Sequence, residues 1–453
     1  MKKEKIGNIL QMQRGYDLPS SQMNEGEIPV VGSNGIVGYH DVSRCIIPTI
    51  TIGRSGSAGK VHIYDTPTWV HNTALYLTDF KGNNPQYLYY LLQLLHLEKL
   101  CGSSVIPSLN RNVVYPMIVN FHEDRCEQDA IAYTLSLIDE KIALNREINR
   151  NLEAMARQLY EYWFVQFDFP DENGRPYKSS GGKMVWNEKL KRDIPYRWSF
   201  TSFDKICQVN RGASPRPIDA FMDETHKGMP WLKISDATSC DSPFIHVIKE
   251  HIIDQGINKS VTVLPETLIV SNSATPGIPK YIGIKACVHD GWLVLTKYSE
   301  VLKYYLYFVI QDLRNMLVNT ASGSVFKNLK TDYLKQAPII LPPDHIISCF
   351  HDRVSCIMDT INLKTREIIE LQAQRDELLP LLMNGQVSVM PSEVNCDLHT
   401  ILNIISITCK EDGFPRTFNT SFSLAPFLAS FLAPFLPTFY RQLALFYRQF
   451  TVS

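Results

Sequence analysis

The sequence predicts an α+β chain written twice: two similar, mainly β globules in tandem, each followed by one long helix. The two halves are related by a pseudo-twofold axis and their helices pair as an antiparallel coiled coil. Three observations carry this reading. Residues recur at fixed separations of 197 to 220, two stretches follow a coiled-coil spacing, and the intervening segments hold short Ile/Val/Thr runs broken by Gly and Pro.

The repeat is ordered along the chain. At a separation of 197, Ile9, Gln11, Arg14 and Gly15 fall on Ile206, Gln208, Arg211 and Gly212. At 218, Ser55, Gly59, His71, Leu75 and Leu77 fall on Ser273, Gly277, His289, Leu293 and Leu295, and Tyr87, Leu88, Tyr89, Gln93 and Leu95 on Tyr305, Leu306, Tyr307, Gln311 and Leu313. At 220, Ser104, Val105 and Leu109 fall on Ser324, Val325 and Leu329, while Asp139, Arg146, Glu147 and Ile148 fall on Asp359, Arg366, Glu367 and Ile368. Only the loop after the first matched block differs much, being about twenty residues longer in the second copy.

Within each globule, runs such as CIIPTITIG and VTVLPETLIVS read as strands. A compact helical piece (YLYYLLQLL, YLYFVIQDL), a Ser/Gly loop and a last strand (VVYPMIVNF, APIILPP) close each copy. The long helices carry seams of alternating three- and four-residue steps. The first runs through Ile131, Leu135, Ile138, Ile142, Asn145, Asn149, Leu152, Ala156, Leu159 and Trp163, and the second through Ile347, Phe350, Val354, Ile357, Ile361, Lys364, Ile368, Leu371, Arg375 and Leu378. Polar Asn145, Asn149, Lys364 and Arg375 cost stability there but specify register and partner. An apolar stripe this long needs a partner, and the simplest partner is the other copy, which makes the helices a ruler between two heads. The expected divisions are a first globule over 1–125, a helix over 126–164, a linker over 165–200, a second globule over 201–344, a helix over 345–384 and a tail over 385–453.

Composition narrows the function classes. With 453 residues and 45% apolar content the chain can bury two or three cores, and 45 basic against 46 acidic residues give no global sign of a polyanion partner. The ten cysteines form no CxxC pairs and read as reduced thiols. The start MKKEKIGNIL lacks a signal-peptide core and no run of 18 apolar residues occurs, so no membrane association and a cytoplasmic location are expected.

Catalytic chemistry is hard to find. GRSGSAGK (53–60) fails as a P-loop because Arg54 stands where the first Gly belongs and Val61 where Ser or Thr would hold magnesium. Its counterpart SNSATPGIP has no Lys at all, so the shared feature is a tight Ser/Gly loop. No NPPY-like or DPPF-like tetrapeptide marks a base-methylating site, PDENGRPYK (170–178) lacks the pattern of a nuclease, and His71 and His289 have no neighbours at metal-ligand spacing. No catalytic residue, no metal and no cofactor is therefore assigned to the chain itself.

Binding is better served. GSSVIPSLNRN (102–112) and SGSVFKNLKTD (322–332) combine small residues, hydroxyls, amides and cations, a set that suits phosphate oxygens and base edges. Arg111, Lys327 and Lys330 would meet phosphate or guanine, Asn110 or Asn328 adenine, and Ser103, Ser104 and Ser324 the backbone. Arg14 and Arg211, each before a Gly in a turn, and Arg54 and Asn272 in the tight loops complete the candidate DNA contacts.

With these features in place the chain resembles the specificity (S) subunits of type I restriction-modification enzymes, over roughly residues 5 to 390. The resemblance rests on the tandem units, the helices after each, the junction WFVQFDFPDENGRPYKSSGGKMVWNEKLKRDIPYRW (163–198), and the phrases LKTDYLKQAPIILPP (329–343) and ELLPLLMNGQVSV (377–389). It implies a non-catalytic subunit whose globules are target-recognition domains. Each would read half of a bipartite sequence in double-stranded DNA, and the helices would set the unread spacer. Two methyltransferase (M) subunits carrying S-adenosylmethionine, and restriction/translocase (R) subunits using ATP and Mg, would supply the chemistry.

Residues 395–453 depart from the family pattern and read as read-through or frame-shifted, poorly ordered coding, with a membrane-seeking or partner-binding tail as the alternative. Two other readings of the whole chain stand beside the leading one: a coiled-coil scaffold with two protein-binding heads, and a lone modification-dependent nuclease, which the missing catalytic motifs disfavour.

Overall fold

The computed structural model describes residues 1–100, 108–320, 329–389 and 408–409. The chain divides into two units, one made of Met1–Leu137 with Arg375–Ser453 and the other of Ile138–Gln374. The expected tail falls almost wholly outside the described residues.

In the first unit, Gln11–Arg14, Ala74–Asp79, Thr49–Gly53 and Val61–Tyr64 form an antiparallel sheet in that spatial order. A second sheet sets Ile28–Gly32 between antiparallel Gly35–His40 and parallel Trp69–Val70, and a two-stranded ribbon joins Lys2–Lys5 to Ile118–Phe121. The second unit repeats the plan. Gln208–Arg211, Trp292–Thr296, Leu268–Ser271 and Pro279–Ile282 take the same order, with Phe244–Ile245 added in parallel at the edge. The pairing of Trp231 with Cys287 and Leu232 with Val288 matches that of Val30 with Trp69 and Val31 with Val70, and Ser199–Ser202 closes on Pro338–Leu341. The separations read in the sequence are thus reproduced strand by strand: Arg14 pairs with Leu75, and Arg211 with Leu293.

The core strands are filled by β-branched and aromatic side chains because both faces are covered. Thr49–Gly53 and Leu268–Ser271 are buried along their whole length. Residues 165–200, expected as a linker, are packed instead. Met184–Asn187 and Arg192–Pro195 form a hairpin, and Phe167, Phe169, Ile194 and Trp198 join the second unit's core with Tyr305 and Phe350. The aromatic density of WFVQFDF already carried that signal, since such area is costly to leave in water.

The first long helix is Arg125–Tyr160, continued by a π-helical turn over Glu161–Val165. The Asp124 side chain accepts from the Cys126 amide at 2.9 Å and caps its start. At 36 residues it is about 54 Å long. The second long helix, Asp344–Met383, ends on Gly385 at φ +65, where the Gln386 amide reaches back to Leu381 O at 2.9 Å. That left-handed stop favours Gly.

Each helix serves both units in turn. Ile131 and Leu135 from the first and Leu379, Leu382 and Met383 from the second lie in the first unit's core, while Ala156, Tyr160, Ile347, Phe350, Val354 and Ile361 lie in the second's. The first seam is largely buried, but of the second only Ile347, Phe350, Val354 and Ile361 are; Met358, Thr365 and Leu379 are buried where the heptad spacing pointed to Ile357, Lys364 and Leu378, and Ile368, Leu371 and Arg375 are only half-buried. The helix packs on a globule, so its covered face departs from a strict heptad stripe.

Polar seam residues do specific work inside the second unit. Asn149 Nδ2 donates to Thr365 Oγ1 at 3.2 Å, which is also 2.8 Å from Ser242 Oγ in the globule. Burial would raise the Glu367 carboxyl, but Lys364 at 2.7 Å, with Asn145 and Lys141 nearby, holds it below the ordinary value. Glu153 lines a cavity of about 260 Å³ with Arg157, Tyr307 and Gln311. Burial pushes its carboxyl up to about 7, although the Lys280 ammonium opposes this.

Two consequences are measurable. Thr365→Val strands the Asn149 amide and the Ser242 hydroxyl, and is expected to cost about 1–3 kcal/mol in denaturant unfolding; a loss below 0.5 would remove the network's structural role. Glu153 binds its proton more tightly folded than unfolded, so its favourable contribution is present below about pH 4.5 and is lost as pH rises through about 7. Glu153→Gln is therefore expected to raise the thermal midpoint at pH 8 and much less at pH 5, and equal shifts at both pH values would contradict the assignment.

Candidate nucleic-acid interface

In each unit three loops converge, held by matching backbone hydrogen bonds. The turn after the first sheet strand is anchored by Gly15 N to Ala74 O at 3.0 Å and by Gly212 N to Trp292 O at 2.9 Å. A Cβ at Gly15 would lie 2.3 Å from His71 O and one at Gly212 2.2 Å from His289 O, so the close approach excludes any side chain there. This explains the Arg-Gly pair in both copies: the glycine seats the turn and carries the arginine beside the 71–73 or 289–291 loop.

The tight Ser/Gly loop is the second element. Gly53 N bonds Lys60 O at 2.7 Å and Gly59 N bonds Gly53 O at 2.8 Å, and Ser271 N to Ile278 O at 3.0 Å with Gly277 N to Ser271 O at 2.8 Å repeats the arrangement. The third element docks on it: Leu109 N reaches Arg54 O at 2.8 Å, and Leu329 N reaches Asn272 O at 2.7 Å. Each three-loop cluster therefore displays the side chains at equivalent positions in equivalent settings.

The candidate residues differ in what they are able to touch. Arg14 is exposed, with Asp17 at 3.5 Å, and Arg211 is exposed beside Asp290. Arg54 is half-buried with Nη1 3.5 Å from Asn72 O. Arg111 is exposed and donates to Met12 O at 3.2 Å. The Asn110 carbonyl oxygen accepts from Asn112 N at 3.0 Å and caps the turn Arg111–Val114. Lys330 is exposed at the start of Thr331–Gln336, 6.0 Å over the Tyr333 ring. Asn272 is the exception. It is 4% exposed and its amide donates to Asp290 O at 3.1 Å, so its role is to hold the loop and not to contact a ligand. Ser103, Ser104, Ser324, Lys327 and Asn328 lie outside the described residues.

Other groups at these loops escaped the sequence reading. Lys60 Nζ donates to Asn34 Oδ1 at 2.7 Å at the tip of the first unit's hairpin. Arg44 lies 4.6 Å over Trp69 and 5.1 Å over Tyr16. Arg216, Ser214 and Asp290 cluster in the second unit. A repeat search finds positions where the copies agree, whereas these are positions where they differ: Lys60 answers to Ile278 and Asn72 to Asp290.

The two histidines are structural. His71 Nδ1 lies 3.0 Å from Thr73 Oγ1, and His289 Nδ1 accepts from Gly291 N at 2.8 Å while burial lowers its pKa. Among the described residues no cluster of His, Cys, Asp or Glu is arranged to hold a metal ion, and no helix is long and apolar enough to cross a membrane.

The chain is similar to known proteins. The profile of the family described as type I restriction modification DNA specificity domain matches residues 1–154 and again 195–373. The type I restriction enzyme MjaIX specificity subunit of Methanocaldococcus jannaschii is 23% identical over 409 residues, covering 83% of this chain and 91% of that protein. The HindI specificity subunit of Haemophilus influenzae is 23% identical over 338 residues, covering 63% and 72%. The crystal structure of the type I restriction-modification S subunit from M. genitalium shares the fold at a TM-score of 0.56 and 16% identity, over 84% of this chain and 96% of that one. With both of its halves matched by one profile, this chain belongs to the type I restriction-modification DNA specificity family.

Proposed function

We propose that the chain reads a bipartite DNA target for a type I restriction-modification complex, with residues 1–125 and 201–344 as target-recognition domains reading one half-site each. The observation that carries this is one scaffold built twice with unlike groups at equivalent loop positions. Lys60 corresponds to Ile278 in the repeat and Asn72 to Asp290, and two unlike readers in like mounts suit an asymmetric two-part sequence. Phosphate contacts from Arg14, Arg111 and Lys330 would set register, and base contacts from the same loops would specify.

In this reading the long helices pair antiparallel as a coiled coil and fix the unread spacer. Support comes from the order in which each helix is used. The first begins in the first unit's core and ends in the second's, and the second helix does the reverse; within the second unit they are joined through Asn149–Thr365 and Lys141–Glu367. Two M subunits carrying S-adenosylmethionine and R subunits using ATP and Mg would perform methylation and cleavage in the cytoplasm. A protein-binding scaffold is disfavoured because it gives no reason for the family's specificity profile to match both halves.

Expression with the neighbouring methyltransferase subunit in a methylation-free host, followed by single-molecule sequencing, is expected to reveal methyladenine in a two-part motif of fixed spacing. Omission of this chain should abolish it, and methylation without such a motif would refute the reading. Inserting seven residues into each long helix adds about 10.5 Å. At about 3.4 Å per base pair, the spacer should lengthen by roughly three base pairs with both half-sites kept.

A further inference from the structure

We infer that Asp290 is a positioning residue that aims Arg211 at one base, a guanine by its chemistry, in the half-site read by the second unit; this rests on the DNA-reading function proposed above. Asp290 engages Arg211 twice. Its carbonyl accepts from Arg211 Nε at 2.7 Å, and its carboxylate lies 3.6 Å from Arg211 Nη2. A guanidinium held through Nε and Nη2 keeps its terminal Nη1–Nη2 edge for a ligand, and that fork matches the O6 and N7 acceptors of guanine in the major groove. The Arg211 side chain is 57% exposed.

The carboxylate is itself fixed. Ser214 Oγ donates to it at 2.7 Å, and the exposed Arg216 lies 3.9 Å away. The same carbonyl that holds Arg211 also accepts from the buried Asn272 amide at 3.1 Å. Asp290 is therefore braced by the tight loop on one side and by the turn after the first strand on the other. An arginine left alone samples many rotamers, and anchoring it before the ligand arrives removes that entropy cost from binding.

The first unit lacks the device. Asn72 stands at the place of Asp290 and contributes no charge, with its carbonyl 3.5 Å from Arg54 Nη1. Arg14 meets Asp17 instead, three residues along its own chain, with both side chains mostly exposed. Arg14, paired only with an exposed acid of its own turn, suits a phosphate, while Arg211, braced by Asp290, suits a base edge. Matched positions in the repeat serve different readout.

The test uses the full chain with its methyltransferase subunit, and reads methylation at genomic sites that differ from the wild-type motif by one base. Asp290→Asn, Arg211→Ala and the double variant are compared, with Ser214→Ala as a milder loosening of the same carboxylate. Asp290→Asn is expected to raise methylation of single-base variants about tenfold at one position of one half-site, the same position that Arg211→Ala relaxes. The other half-site, read in the same molecule, should stay unchanged. In the Arg211→Ala background Asp290→Asn should add nothing, because it acts through that side chain. Ser214→Ala should relax the same position to a smaller degree. An unaltered motif in Asp290→Asn, relaxation at a different position, or additivity with Arg211→Ala would overturn the inference while leaving the DNA-reading function standing. Absence of any two-part motif with the wild-type chain would overturn both.

Discussion

The core of each unit is completed by segments of both long helices, and this constraint organises the rest of the molecule. Leu379, Leu382 and Met383 pack in one core with Ile6, Tyr87 and Leu135, while Ala156 and Tyr160 pack in the other with Phe350 and Val354. A long helix with an apolar stripe gains little by itself, because nucleation is costly and the stripe would stay wet. Sharing it between cores removes both costs. The buried Asn149 and Thr365 then act as register marks, since a shift of either helix would strand their polar atoms.

On this base the loops are free to differ. The backbone bonds that seat them recur at equivalent places whatever the side chains at those places, as Leu109 to Arg54 and Leu329 to Asn272 do, whereas the displayed side chains are largely those where the copies diverge. Scaffold and reading surface are thereby separated at the level of main chain against side chain. Stability rests on glycines and carbonyls that any recognition surface can share.

That separation also explains what was legible in the sequence. Repeat units, strand runs, long helices and the Arg-Gly turns stood out because identical residues recur at steady spacing, and identity marks scaffold. The packing of 165–200 was missed because no repeat covers it, although Phe167, Phe169 and Trp198 announced an apolar cluster. The exchange of Ile357 and Lys364 for Met358 and Thr365 arose from applying a two-helix spacing to a helix that also faces a globule. For the site, Arg14, Arg54, Arg111, Arg211 and Lys330 do reach the loop clusters. Asn272 does not point outward, because a buried amide holding a carbonyl and an exposed one reading a base look alike in a sequence. Asp290 was invisible for the opposite reason, since its partner in the other copy is Asn72.

The division of the chain has a consequence for inheritance. The second unit is one uninterrupted stretch, Ile138–Gln374, set between the two pieces of the first. Both of its boundaries fall within long helices, in stretches where the two copies follow the same spacing. A genetic exchange with crossovers at these two points would therefore transplant a complete core and all three of its loops in frame, and leave the host unit's own core residues untouched. Novelty in one half of the molecule need not be purchased with disruption of the other.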